Sequence, residues 1–286
     1  MKRANEQVAD KGSAVQTDAA VPGSSHSPTV RRDCPLCGAN EYTLLREHHP
    51  WRLVQCAGCG LAYLPEIPTG ETIEHEVEWS ESFARERRRR WLSSPWMRAW
   101  TTLLMFLKPS RERRALRRIL RFAPPGRLLD VGCGDGRLAD VALRRGFDPL
   151  GIELSPQMAA KATWRLGPER VLRGRLEDFD LEPKSFDVVV TISYLEHEPN
   201  PRDVLGRILH LLRPGGVCVH KVPNYDSVLR RVLGRRWSGY RWPEHFQYYT
   251  PKTLDRLVTS VGFEVLRIDA NPLSDNLWLT AIRPNR

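Results

Sequence analysis

The chain has 286 residues, 41% hydrophobic and 27% charged. That composition excludes wholesale disorder, and no apolar run approaches the roughly 18 residues that a membrane-spanning helix requires. The net charge of +10 is local, because residues 85–121 hold 13 Lys or Arg against only Glu86 and Glu112, leaving the remainder close to neutral.

Residues 1–30 are rich in Ala, Ser, Gly, Asp and Thr and contain no aromatic residue, which is expected of a disordered tail. The stretch has no apolar core of the signal-peptide kind, so a cytoplasmic location is expected. Six cysteines are too few for a disulfide scaffold. Four of them form a pattern in residues 31–66. Cys34-Pro-Leu-Cys37-Gly is followed by Cys56-Ala-Gly-Cys59-Gly, a C-x2-C-x18-C-x2-C spacing. It falls within the range of a four-thiolate zinc ribbon, closed and structural, with an iron–sulfur cluster or two redox pairs as alternatives. Cys133 and Cys218 sit on expected core elements and read as small apolar side chains.

Residues 67–122 read as a basic helical connector. Trp96, Trp100, Leu103, Leu104 and Leu107 share one helical face, and Pro95 stands at that helix's first turn. The basic stretch has two readings: a solvated or domain-packed helix, and a peripheral contact with phosphates, nucleic acid or the anionic inner face of a membrane.

From residue 123 to 286 strands and helices alternate. Strands are expected at 127–132, 149–154, 171–174, 186–194, 217–222, 263–268 and 277–282. Helices are expected at 137–145, 156–166, 203–212 and 251–261, with Arg213-Pro-Gly-Gly216 stopping the third. This is the pattern of a doubly wound α/β fold with a mostly parallel seven-stranded sheet. No helix separates the last two strands, so one of them is expected to enter antiparallel.

The first of these strands runs into Gly132-x-Gly134-x-Gly136 and a helix. Glycines at such a turn admit close approach of a ligand and aim amide donors at it. The spacing is not the G-x-G-x-x-G of dinucleotide sites, and Asp130 before the loop would repel a pyrophosphate but suits a cationic amino-acid ligand. Glu153, at the end of the second strand, stands where an acid can bind both ribose hydroxyls.

With LLDVGCGDGRLA, GIELSP, GRLEDFDLEPKSFDVVV, YLEHEPNP, LLRPGG and VGFEVL in that order, residues 123–286 resemble a class I S-adenosylmethionine-dependent methyltransferase with a Rossmann-like fold. The resemblance implies that Asp130, Gly132 and Gly134 cradle the methionine part of the cofactor and that Glu153 takes the ribose. Where the family often has an Asp that places adenine, this chain has Arg175. The adenine contact is therefore expected from the backbone near Leu176 or from Glu177, and Ser193 completes the cofactor set.

CxxCGLAYLPEIP, VPNYDS, Tyr240-Arg-Trp-Pro-Glu244-His245 and YYTPKTL are similar to the zinc-binding and C-terminal segments of bacterial sugar and secondary-metabolite methyltransferases. Those that methylate a sugar carbon carry a further C-terminal domain not seen after the last strand, which leaves O- and N-methylation open. If the acceptor is a hydroxyl or an activated carbon, a general base is needed, and histidine suits it near neutral pH. His245 is the preferred base, with Glu244 beside it, and His197 is the preferred pocket residue. Trp237, Tyr240 and Trp242 read as an acceptor wall or as lid packing.

The reading is thus a methyltransferase acting on a small molecule, sugar or glycolipid. A ribosomal RNA methyltransferase with a zinc-ribbon RNA-binding module is the alternative, disfavoured because the ribbon lacks interleaved basic and aromatic residues. A non-catalytic zinc-ribbon adaptor is a second alternative, disfavoured by the intact cofactor motif.

Overall fold

The computed structural model of the chain describes residues 28–69, 110–271 and 274–285. Residues 1–27 of the expected tail, and the connector stripe from Trp96 to Leu107, lie outside the described residues, whereas Thr29 and Val30 at the tail's end form part of a strand. Among the described residues no helix is long and apolar enough to cross a membrane.

The cysteine module contains five short strands: β1 (Thr29–Arg31), β2 (Tyr42–His48), β3 (Trp51–Cys56), β4 (Ala62–Tyr63) and β5 (Glu66–Pro68). Helix α1 (Arg111–Phe122) follows, its first turn capped by the Ser110 hydroxyl, which accepts from the Arg113 amide. Ala115, Leu116 and Ile119 form its buried face.

The α/β part runs β6 (Arg127–Val131), α2 (Arg137–Leu143), β7 (Asp148–Glu153), α3 (Pro156–Leu166), β8 (Val171–Arg173), β9 (Phe186–Ile192), α4 (Pro201–Leu211) and β10 (Leu212–Pro223). After β10 come α5 (Val228–Leu233), β11 (Gln247–Tyr248), α6 (Pro251–Ser260), β12 (Glu264–Asp269) and β13 (Asn276–Ile282). Seven strands form one sheet in the order β12-β13-β10-β9-β6-β7-β8. β13 is antiparallel to both of its neighbours, and β8, β7, β6, β9 and β10 pair in parallel. The chain winds outward from β6 through β7 to β8, then crosses back to β9 on the other side of β6. That reversal opens a crevice at the carboxyl ends of β6 and β9, where ligands of such sheets bind.

The run Phe-Asp-Val-Val-Val-Thr-Ile of β9 is apolar on both faces because both are covered. Val189 packs in one core with Leu129, Ile208 and Leu254, whereas Val188 and Val190 pack in another with Leu116, Ile119 and Leu138. Helix α1 is thus part of the covering layer of the sheet.

Two features differ from the sequence pattern. β10 begins at Leu212 rather than Val217, with a register shift that carries Arg213-Pro-Gly-Gly216 along the edge of β9. And β11 leaves the α/β part to pair antiparallel with β4, completing a four-stranded sheet β11-β4-β3-β2. The ribbon and the large domain also share one core, in which Cys34, Leu36, Val54 and Tyr63 pack with Leu195, Leu205, Tyr249 and Leu254.

Candidate active site

The loop between β6 and α2 is held in left-handed backbone conformations, with φ of 71° at Gly132 and 59° at Gly134. A Cβ at Gly132 would lie 2.8 Å from Cδ2 of Tyr194, closer than real Cβ contacts allow. The loop is drawn toward β7 by Glu153, whose Oε2 accepts from the Gly134 amide at 2.7 Å and whose Oε1 accepts from the Ser155 amide at 2.9 Å. Asp130 sits beneath the loop, 1% exposed, and its Oδ2 has no hydrogen-bond partner. Burial, and then the nearby Glu153, push its carboxyl up to about 7, partly offset by Arg111. Keeping it ionised at higher pH costs about 4 kcal/mol relative to a solvated aspartate. A buried acid with an empty acceptor atom is a site for a cation that brings its own donors.

Two clefts meet here and share Gly132, Glu153 and Ser193. The first, about 250 Å³, is lined by Asp130, Gly134, Arg111 and Arg137. The second, about 330 Å³, runs from Leu154, Arg175 and Leu176 past Tyr194 to His197, Glu198, Arg241 and Glu244. Of the expected cofactor residues, Asp130, Gly132, Gly134, Glu153, Leu176 and Ser193 therefore line connected space. Glu177 is exposed and lines neither cleft; its carboxylate lies 4.0 Å from Arg175. The clefts' geometry fits an amino-acid moiety over Asp130 and a nucleoside toward Leu176.

The histidines divide between the cleft and the core behind it. His197 lines the second cleft, whereas His245 is 4% exposed and lines neither. Their rings meet edge to face at 4.7 Å. Nδ1 of His245 lies 2.8 Å from the Gly239 carbonyl, which only accepts, so that nitrogen carries the proton and Nε2 holds the lone pair. Burial and then Arg241 push the His197 imidazole down to about 4, although part of its surface opens on the cleft. Burial, then His197, hold His245 well below the usual range. Both rings are therefore neutral at physiological pH. Glu244 does not hold the His245 ring; its carboxylate pairs with Arg241 at 2.5 Å, and its backbone carbonyl accepts from His197.

Several residues of this region carry no sequence motif. Glu196 is 1% exposed with an unpartnered Oε2, and burial raises its carboxyl to about 7 against the pull of Lys221 and Arg241. Its donor atoms and those of His197 and His245 lie within 4.8 Å of one another. The cationic Lys221 and Arg241 beside them oppose a metal ion there. Lys221 donates from Nζ to Ser193 Oγ at 2.8 Å, and its carbonyl accepts from the Ser193 amide at 2.8 Å. These two bonds hold Ser193 at φ of 58°, a left-handed conformation that costs a non-glycine residue about 1–3 kcal/mol. The available clue to Lys221 was a charged residue near the carboxyl end of its strand, soon after the apolar run Val217–Val219.

In the ribbon, Cys34 and Cys59 sulfurs are 3.5 Å apart, as are those of Cys37 and Cys56. All four lie within 4.8 Å of one another. The two knuckles repeat one pattern: the Gly38 amide donates to the Cys34 carbonyl and the Gly60 amide to the Cys56 carbonyl. Sulfurs around a tetrahedral zinc stand about 3.8 Å apart, given Zn–S bonds near 2.3 Å, so this donor set fits zinc.

A family described as "Methyltransferase domain" matches residues 107–268. A ubiquinone biosynthesis O-methyltransferase from Psychrobacter arcticus is 30% identical over 169 residues, 54% of this chain and 66% of that protein. Its counterpart in Alkalilimnicola ehrlichii is 33% identical, over 54% of this chain and 68% of that protein. The match to the first relative therefore spans somewhat less than two thirds of that protein's length. Among solved structures, a methyltransferase from Thermotoga maritima, described as a possible histamine N-methyltransferase, superposes with a TM-score of 0.53 at 20% identity. It covers 75% of this chain and 100% of that one, and the likeness is one of fold.

Proposed function

Because the chain belongs to the methyltransferase-domain family of S-adenosylmethionine-dependent enzymes, we propose that it moves a methyl group from S-adenosylmethionine to a hydroxyl of a small-molecule acceptor. The observation that carries this reading is the buried, unpartnered Oδ2 of Asp130 in a cleft continuous with the one that His197 lines. Hydroxyl acceptors are supported by relatives whose names describe O-methyltransferases. Sugars and glycolipids belong to the same chemical class of acceptor.

When bound, S-adenosylmethionine supplies an electrophilic methyl on a sulfonium. Asp130 would accept from its ammonium, and Glu153, whose oxygens keep lone pairs beyond those used by the Gly134 and Ser155 amides, would accept from its ribose. Leu176 walls the adenine, and Ser193 stands where the two clefts join. His197 is assigned as the base, since it reaches the cleft and its ring is neutral, with His245 and Glu196 behind it and Glu244 fixing it through its carbonyl. His245, the base expected from sequence, becomes a supporting residue in this assignment. Tyr194, seated on Gly132, and Phe246 exclude water from the reacting atoms. Cys34, Cys37, Cys56 and Cys59 hold one structural zinc.

Asp130 gives this reading a pH signature. Its folded-state carboxyl lies at about 7, above the ordinary 3.8. The cofactor-free chain is therefore expected to lose stability as pH rises through about 7. A bound ammonium favours the ionised form, so cofactor affinity is expected to fall by up to about tenfold per pH unit below that value. Calorimetry with S-adenosylhomocysteine from pH 5.5 to 8 should show this slope in the native chain and a weak, flat profile in Asp130→Asn. Equal affinity across the range in the native chain would remove Asp130 from the site.

We also propose peripheral contact with an anionic membrane surface through the basic segment. Its support is the groove lined by Arg113 and Arg117 of α1 with Leu116 and Leu120, and by Arg144 and Arg145, the first of which pairs with Asp140 in the same groove. Sedimentation with phosphatidylglycerol vesicles should be strong at low salt and lost at high salt. No sedimentation at low salt would refute the contact.

A further inference from the structure

Arg32 lies two residues before the first cysteine, in no motif, and is partly buried, with its guanidinium surrounded by acceptors. Its guanidinium donates to the carbonyls of Leu64 at 3.0 Å, Pro199 at 2.8 Å and Phe246 at 2.9 Å, and to Oε1 of Gln247 at 3.0 Å. Tyr63 and Phe246 lie beneath it at 5.9 and 5.8 Å. Burial lowers its pKa to about 10, which still leaves it fully charged at neutral pH. One side chain thus ties the ribbon (Leu64), the loop after β9 (Pro199) and the segment before α6 (Phe246, Gln247).

The other end of the tie is equally specific. Gln247 Nε2 donates to the carbonyls of Leu195 at 2.7 Å and Glu198 at 2.6 Å, the two residues that bracket Glu196 and His197. The Phe246 amide donates to the Glu196 carbonyl at 2.8 Å, and the Leu64 amide to the Phe246 carbonyl at 2.8 Å. Arg202, at the start of α4, donates to the Leu36 carbonyl between the first two cysteines at 3.0 Å. By contrast, Asp130, the glycine loop and Glu153 are held by β6, β7 and each other, with the Tyr194 ring against Gly132 as their contact to the 195–198 loop.

We propose that Arg32 is a positioning residue that makes the cysteine ribbon the template for the acceptor half of the site, while the cofactor half stands independently. The inference rests on the reading that His197 and Glu244 face the acceptor. Gln247 is the relay. Arg32 orients its side-chain oxygen, which turns its amide onto the 195–198 loop and so sets the direction of the His197 ring and of the Glu244 carbonyl that it meets. Arginine suits the position because its fork serves several carbonyls at once; a lysine ammonium keeps the charge but not that geometry.

The test uses the full zinc-loaded chain and the variants Arg32→Lys and Gln247→Met, the second of which removes the relay with little change in volume. Hydrogen exchange at residues 195–199 and 244–248 should quicken by about tenfold or more, the loss expected for one charge-assisted hydrogen bond. The His197 imidazole, followed by NMR titration, should move from about 4 toward ordinary histidine values as its packing loosens. Zinc content should stay at one per chain, and affinity for S-adenosylhomocysteine should stay within about twofold of the native chain. Unchanged exchange and titration in both variants would overturn the proposal. So would a matching loss of cofactor affinity, or global unfolding of both, because the contacts would then serve the core as a whole. A native chain that fails to bind S-adenosylhomocysteine would instead overturn the methyltransferase reading, a separate outcome.

Discussion

Gly132→Val is expected to abolish measurable binding of S-adenosylmethionine while leaving the fold intact. Two separate costs act at this position. The backbone has φ of 71°, which a β-branched residue adopts only with strain. A Cβ would also stand 2.8 Å from the Tyr194 ring, and the two further methyl groups would fill the space where the glycine loop meets its ligand. The loop can relieve both only by swinging away from Glu153, which releases the Gly134 amide from the 2.7 Å bond that shapes the cradle. The sheet beneath is made by the apolar residues of β6 and β9 and does not depend on the loop. Calorimetric titration gives the affinity and circular dichroism checks the fold. Native-like affinity in the variant would show that the cofactor binds elsewhere.

Removing the metal from the ribbon is expected to have the larger structural effect. Residues 31–66 are too few to bury an adequate core of their own, a size at which metals or disulfides usually supply the missing stability. Four sulfurs within 4.8 Å of one another, taken as thiolates, would repel without a cation between them. The consequence reaches beyond the ribbon, because Cys34 and Cys56 belong to the core that contains Leu195 and Tyr249. Elemental analysis should find one zinc per chain. Chelation, or Cys56→Ser, should lower the melting temperature by about 10 °C or more, since each kcal/mol shifts a chain of this size by roughly 2–4 °C. Iron with a visible absorption band, or a metal-free chain of undiminished stability, would contradict the assignment.

What the sequence made legible follows from the range of the interactions involved. The sheet was readable because its central strands β6 and β9 are buried, mainly apolar runs, the first ended by Gly132, and because helical patterns alternate with them. The glycine loop and the cysteine knuckles are local devices, so spacing alone exposes them. β11 was not readable: Gln247–Tyr248 is two residues long, and its partner β4 lies some 185 positions earlier, with nothing local to announce the pairing. The same distance hid Arg32, whose acceptors at Pro199 and Phe246 lie 167 and 214 residues away. It also hid the order of the histidines, since no periodicity says that His197 opens on the cleft while His245 turns to Gly239. Residue type pointed to the chemistry, and tertiary contacts assigned each residue its place in it.

The most direct measurement incubates the full chain with methyl-tritiated S-adenosylmethionine and a cell extract, then separates small molecules, lipids, nucleic acid and protein. Label is expected in the small-molecule or lipid fraction, as an alkali-stable methyl ether, and should be absent when Gly132→Val replaces the native chain. Label confined to RNA or protein, or no transfer above the Gly132→Val control in any fraction, would contradict a small-molecule O-methyltransferase.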